Sequence, residues 1–95
     1  MDRLELEKIV ISAIQKVQAE SGEPEEEIDL STIPINGLAG FESLRGLEVS
    51  HVILSQLEPD LLINLFISDD GTRALNIREA VTKIQTSLRE GSKRK

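Results

Sequence analysis

The chain has 95 residues, a formal net charge of −6 at pH 7, and no cysteine, tyrosine or tryptophan. That length holds one domain with a modest core, the size of three or four packed helices. Without cysteine the chain itself offers no disulfide, thiolate metal site or thiol redox chemistry. With two phenylalanines as its only aromatics it offers no base-stacking platform for nucleic acid.

Asp2 to about Ser21 reads as an amphipathic helix. Leu6, Ile9, Val10, Ala13, Ile14 and Val17 recur at helical spacing, with Glu7, Lys8, Gln15 and Lys16 between them. Asp2, Glu5 and Glu7 suit the positive helix start. Gly22 followed by Pro24 marks its stop.

Glu23 to Glu42 reads as a long connection. It opens with Glu23, Glu25, Glu26 and Glu27, then carries Ile28, Leu30, Ile33 and Ile35, punctuated by Pro34, Asn36, Gly37 and Gly40. Its aliphatic content predicts packing over a bundle end, and a connection this long is often functional.

Ser43 to about Glu58 is the second predicted helix, with Leu44, Leu47, Ile53, Leu54 and Leu57 as its apolar face, helped by Val49 and Val52. Serine is a preferred N-cap, so Ser43 is expected to cap this helix. Gly46 lowers helix propensity and suggests the close approach of another backbone. Pro59 ends the helix. Leu61 to Ile67 is an almost unbroken apolar run, and periodicity does not separate a short buried helix from an extended segment there. Ser68-Asp69-Asp70-Gly71 reads as a turn. Asn76 to about Glu90 is the last helix. Asn76 and Glu79 have capping-box spacing, and Ile77, Ala80, Val81, Ile84 and Leu88 share one face. Residues 91–95 read as a basic, disordered tail after a domain spanning 1–90.

The predicted fold class is therefore all-α: a small four-helix bundle of three long helices plus a short or irregular third segment. Its expected core includes Ile9, Ile14, Val17, Leu47, Leu54, Ile77, Val81 and Ile84.

Charge is uneven along the chain. Residues 20–60 hold ten acidic side chains and one base, Arg45, whereas residues 61–95 hold four acids and seven bases. An acidic middle repels nucleic acid and anionic membranes and steers basic protein surfaces toward it; the plainer reading is a solvated face. No apolar run is long enough for a membrane span, so a cytoplasmic protein without membrane insertion is expected. The lone His51 has no cysteine partner, the Asp and Glu pairs lack the ordered spacing of a calcium loop, and the glycines match no phosphate-binding motif. No catalytic residue and no metal site is expected, and the chain does not read as an enzyme.

Three stretches carry a resemblance: Gly37-Leu38-Ala39-Gly40-Phe41-Glu42-Ser43-Leu44, Leu47-Glu48-Val49, and Leu75-Asn76-Ile77-Arg78-Glu79-Ala80-Val81. In this frame the chain resembles the acyl carrier proteins, the phosphopantetheine carriers, in which a Gly-x-Asp-Ser-Leu motif opens the second helix. The likeness covers most of the chain. It implies an acyl-carrier-like four-helix bundle with 4′-phosphopantetheine attached covalently to Ser43 and acyl groups carried on it as thioesters. It also implies a specialised carrier in fatty-acid, lipid or secondary-metabolite synthesis. The implied partners are a phosphopantetheinyl transferase and acyl-loading and acyl-transfer enzymes. These would dock on Glu42, Leu44, Glu48 and Glu58 of a monomer. Glu42 departs from the family's aspartate, Arg45 and His51 make the second helix less acidic, and the stretch from Glu58 to Asn76 is longer than usual. Leu61 to Ile67 reads first as core packing; the resemblance adds a loosely held cover over a sheltered acyl chain. The alternative to the carrier is an unmodified, carrier-like protein-interaction module.

Overall fold

The computed structural model describes residues 2–57 and 63–93, with side chains as far as Leu88. Among these residues there are three helices and no strand: α1 (Arg3–Glu20), α2 (Ser43–Leu57) and α3 (Ile77–Lys93). The all-α class stands. The fourth helix does not appear among the described residues, because 63–76 is irregular backbone whose only pairing is an isolated antiparallel bridge, Ile67 to Ala74. Leu61 and Leu62, where the apolar run begins, lie outside the described residues, as does Glu58. The expected tail is shorter than predicted, since α3 continues through Gly91 to Lys93.

Three helix boundaries have a clear local cause. The Asp2 side chain accepts the Glu5 amide at 2.8 Å and starts α1. At its far end Gly22 takes φ 78°. Its amide bonds the Ala19 carbonyl while the Glu23 amide bonds the Gln18 carbonyl, the paired bonds of a Schellman stop. Asn76 and Glu79 form the predicted reciprocal box: the Glu79 amide donates to Asn76 Oδ1 at 2.8 Å, and the Asn76 amide donates to Glu79 Oε1 at 3.0 Å. The next two donors of α3 are also used. The Ile77 and Arg78 amides donate to the Thr32 and Leu30 carbonyls, so the long connection passes across the start of α3.

α1 packs against both other helices and presents Leu6, Val10, Ala13, Ile14, Val17 and Gln18 as its buried stripe. α2 buries Gly46, Val49, Ser50, Ile53 and Leu54, and α3 buries Ile77, Ala80, Val81 and Ile84. The irregular segments complete the core with Ile35, Leu38 and Phe41 from the long connection and Leu65, Phe66 and Leu75 from the region before α3. Seven of the expected core residues pack in or against this cluster, Ile9 only partly buried. Leu47 does not: it is 46% exposed, because α2 turns the 46-49-50-53-54 stripe inward and Leu47 stands at the edge of that stripe, toward exposed Leu44, Glu48 and His51.

Candidate functional site

The approach to Ser43 is a tight loop with its own hydrogen bonds. The Gly37 and Leu38 amides both donate to the Pro34 carbonyl, Phe41 donates to Leu38, and Asn36 donates to the Phe41 carbonyl at 2.7 Å. Asn36 and Gly40 take positive φ, 62° and 66°. A β-carbon on Gly37 would strike the Ile33 carbonyl oxygen, which explains glycine there. Phe41 is then driven into the core, 1% exposed, with Glu42 and Ser43 immediately after it at the surface.

A polar network ties this loop to α1. Gln18, 6% exposed, donates to the Ala39 carbonyl at 2.8 Å and accepts from Arg45 at 3.0 Å. Arg45 also pairs with Glu23 at 2.7 Å, and Glu26 accepts the Ala39 amide at 3.0 Å. Gly40 lies beneath the Arg45–Glu23 pair; any side chain there would collide with the Glu23 carboxylate. Two members of the acidic run are thus structural. Arg45 is folded back onto Glu23 and Gln18, so the one arginine of α2 is paired within the chain itself.

Ser43 is not the N-cap of α2. The helix begins at Ser43, and the Gly46 amide donates to the Glu42 carbonyl at 2.9 Å, which makes Glu42 the cap residue. The expectation fails by one position because Phe41 is anchored in the core and Glu42 is the residue that turns the chain into the helix. Ser43 is exposed, and among the described residues its hydroxyl has no hydrogen-bond partner. The amides of Ser43, Leu44 and Arg45 also have no acceptor among the described residues, whereas the first turns of α1 and α3 are capped by Asp2 and Asn76.

Around Ser43 the surface is apolar and acidic. Leu44 is 68% exposed and Leu47 46% exposed, with Glu42, Glu48 and His51 also exposed. Residues 44, 47, 48 and 51 share one helix face. The structure therefore brings together Glu42, Ser43, Leu44 and Glu48 of the expected site, and Glu58 falls outside the described residues.

The segment after α2 is fastened beside this turn by residues that sequence reasoning did not single out. Asn64 Nδ2 donates to the Ser43 carbonyl at 3.0 Å, and Asn64 Oδ1 accepts the Phe66 amide at 3.0 Å. Buried Ser50 donates to the Gly46 carbonyl and accepts the Leu65 amide at 2.8 Å. From α3, Lys83 donates to the carbonyls of Asn64 and Ile67 and pairs with Asp69 at 3.2 Å. The described part of the apolar run is thus not loosely held, and Leu65 and Phe66 are fully buried core residues. Gly46 admits a side chain rather than a backbone: its added β-carbon would sit 3.1 Å and 3.2 Å from the Asn64 amide atoms. The available signal was Ser50, a small polar residue within an otherwise apolar stripe.

The carboxyls held below their ordinary range serve local turns. Asp29 is lowered by the Ser31 hydroxyl and amide, Asp70 is lowered to about 2 by the hydroxyls of Thr72 and Ser68, and Glu79 is lowered by the Asn76 amide and then by Arg73. Among the described residues no group of three or more His, Cys, Asp or Glu could hold a metal ion. None of the described helices is long and apolar enough to cross a membrane. A cleft of about 270 Å³ opens between the end of α1 and the acidic connection, with Ala19, Pro24, Ile28 and Leu38 among its walls. The segment 63–67 does not line it.

No protein-family model, curated protein or solved structure matches this chain.

Proposed function

We propose that the protein is an acyl carrier, with 4′-phosphopantetheine attached to Ser43. The observation that carries this reading is an exposed serine hydroxyl at the head of a helix, with neither that hydroxyl nor the first three helix amides partnered among the described residues. Attachment needs a hydroxyl that a transferase can reach. Ser43 Oγ loses its proton and forms a bond to the phosphorus of the coenzyme A phosphopantetheine. The bond from that phosphorus to the nucleotide part breaks, and the nucleotide leaves. The phosphodiester so formed carries negative charge at a helix start, where open amides and the helix dipole favour it. Once attached, the arm supplies the thiol that this cysteine-free chain lacks, and acyl groups ride on it as thioesters.

The chain's own residues supply presentation and encounter. Phe41 and the Gln18–Arg45–Glu23 network hold the loop that delivers Ser43. Leu44 and Leu47 give a partner an apolar contact, and Glu42 and Glu48 give it charge. Acidic groups around a small apolar patch favour rapid, brief encounters with basic enzyme surfaces. A transferase and acyl-loading and acyl-transfer enzymes are the partners this surface suits, in a carrier that is not itself an enzyme.

The test is intact mass after incubation with coenzyme A and broad-specificity phosphopantetheinyl transferases. One phosphopantetheine is expected on the wild type and none on Ser43→Ala. If the wild type stays unmodified while a standard carrier in the same tube is converted, the carrier reading fails and the unmodified interaction module replaces it.

A further inference from the structure

Among the described residues, the first turn of α2 has no side-chain cap. Glu42 holds the cap position, and among the described residues its side chain accepts no hydrogen bond from the amides of Ser43, Leu44 or Arg45. Glutamate is not among the favoured N-cap residues. An uncapped first turn frays, and this one carries the serine that a transferase must find in a defined place. The described contact that reaches Ser43 from outside its own helix is Asn64, through the 3.0 Å bond to the Ser43 carbonyl.

We infer that Asn64 is a positioning residue for Ser43, and that position 46 is glycine so that the Asn64 carboxamide can lie against the turn. This inference rests on the carrier reading. The carboxamide has one orientation that serves both neighbours. The Phe66 amide requires an acceptor, so Oδ1 faces it, and Nδ2 is left to donate to the Ser43 carbonyl. Phe66 is fully buried and Lys83 holds the Asn64 carbonyl at 3.1 Å, so the anchor is rigid on both sides. Asn64 thereby transmits the rigidity of the core to a turn with no side-chain cap among the described residues. Gly46 makes room for it, with the added β-carbon also meeting Ile35 Cδ1 at 3.3 Å.

Three variants test this: Asn64→Ala, Asn64→Asp and Gly46→Ala. Asn64→Asp keeps an acceptor for the Phe66 amide and loses the donor to Ser43. Two readouts are taken on each: hydrogen exchange of the amide at position 46 in the unmodified protein, as protection over its intrinsic rate, and kcat and KM for phosphopantetheine transfer with the wild type as reference. The Gly46 amide closes the first bond of α2, to the Glu42 carbonyl. Each variant should speed its exchange relative to the Val10 amide. The same variants should lower kcat about three- to tenfold, the ratio that losing one neutral hydrogen bond corresponds to. KM should hold, because Glu42, Leu44 and Glu48 are untouched. Gly46→Ala added to Asn64→Ala should cost nothing further in kcat, since both break one contact. A wild-type protein that no transferase modifies would overturn the carrier reading and this role together. A wild type that is modified, with Asn64→Asp matching it in both exchange and kcat, would overturn the positioning role alone. A rise in KM with kcat unchanged would also overturn it, by making Asn64 part of the docking surface. If Asn64→Ala fails to fold, Asn64→Asp and Gly46→Ala decide the matter.

Discussion

The rings of Phe41 and Phe66 meet edge to face, with centroids 5.7 Å apart and planes at 84°. The contact joins the loop that ends at Ser43 to the segment that follows α2, at the point where neither has regular hydrogen bonding of its own. Both rings are essentially buried. Truncating either to alanine should cost about 3–5 kcal/mol, a large share of a small domain's stability. Phe41→Leu and Phe66→Leu each keep most of the volume and should cost less. Urea denaturation of the two leucine variants and their double mutant should show coupling between the positions. Simple additivity would mean that the rings fill the core independently.

Ser43→Ala should leave stability almost unchanged. Ser43 is the first helical residue rather than the cap, and its hydroxyl bonds no described residue, so the 0.5–2 kcal/mol of a lost N-cap does not apply. Substitution of an exposed residue without such a role falls within about 0.5 kcal/mol. A melting curve that coincides with wild type, alongside loss of the mass shift, separates chemistry from stability at this position. A drop of cap size would show that the hydroxyl does serve the first turn in solution.

Much of this arrangement was legible beforehand, for identifiable reasons. Gly22, Asn76 and Glu79 act through neighbours three or four residues away, and such local chemistry is written directly in the sequence. The periodicity of α1 and α3 likewise has one apolar face. α2 was misread because it is apolar on two sides. Exposed Leu44 lies opposite buried Val49 and Ile53, and half-exposed Leu47 stands at the edge between them, two turns before buried Leu54. Which side faces inward is decided by what packs there, and the small residues Gly46 and Ser50 mark that side because a second segment lies against them. Asn64 and Lys83 were invisible for a related reason. They satisfy carbonyls and amides of irregular backbone far away in sequence, which no periodic pattern encodes.

The outer face of α2 should control encounter. Glu48→Lys should slow phosphopantetheine transfer chiefly by raising KM, with the defect shrinking as salt rises. Leu44→Ser should weaken binding with little change in salt dependence, because it removes apolar contact and no charge. Glu26→Lys serves as the comparison. That carboxylate is committed to the Ala39 amide, so its reversal should lower stability before it alters encounter. Steady-state transfer rates across a salt series, with denaturation curves for each variant, separate the three effects. Equal salt slopes for Glu48→Lys and wild type would remove the electrostatic role.

Stability should fall in acid through three local carboxylates. Asp70 is depressed from 3.8 to about 2, and Asp29 and Glu79 are also depressed, from 3.8 and 4.5. A depressed folded-state pKa means that the unfolded chain takes up the proton first. The stabilisation is therefore complete above the ordinary values and is lost as pH falls from about 4.5 toward 2. Asp70→Asn should flatten the lower part of that decline. Urea midpoints at successive pH values measure it, and an unchanged slope in Asp70→Asn would assign the acid sensitivity to the other two.

On the proposed carrier reading, the segment 63–67 is what an acyl chain would have to displace to enter the core. Opening it would break the Leu65 amide to Ser50 bond, the Asn64 bridge and both Lys83 contacts, and would expose Leu65 and Phe66. That cost favours a closed segment. Ser50→Ala isolates one latch: it leaves the buried Leu65 amide unpaired, at about 1–3 kcal/mol. It should speed exchange at Leu65 more than at Val10 in α1. With a long acyl group on the arm, the wild type should keep its Leu65 protection, since the latches oppose entry. Ser50→Ala should lose protection there on acylation, because one of them is gone. A selective loss at Leu65 and Phe66 in the acylated wild type would show that the chain lifts the segment despite these bonds. Equal protection in acylated and free Ser50→Ala would place the carried group outside the core altogether.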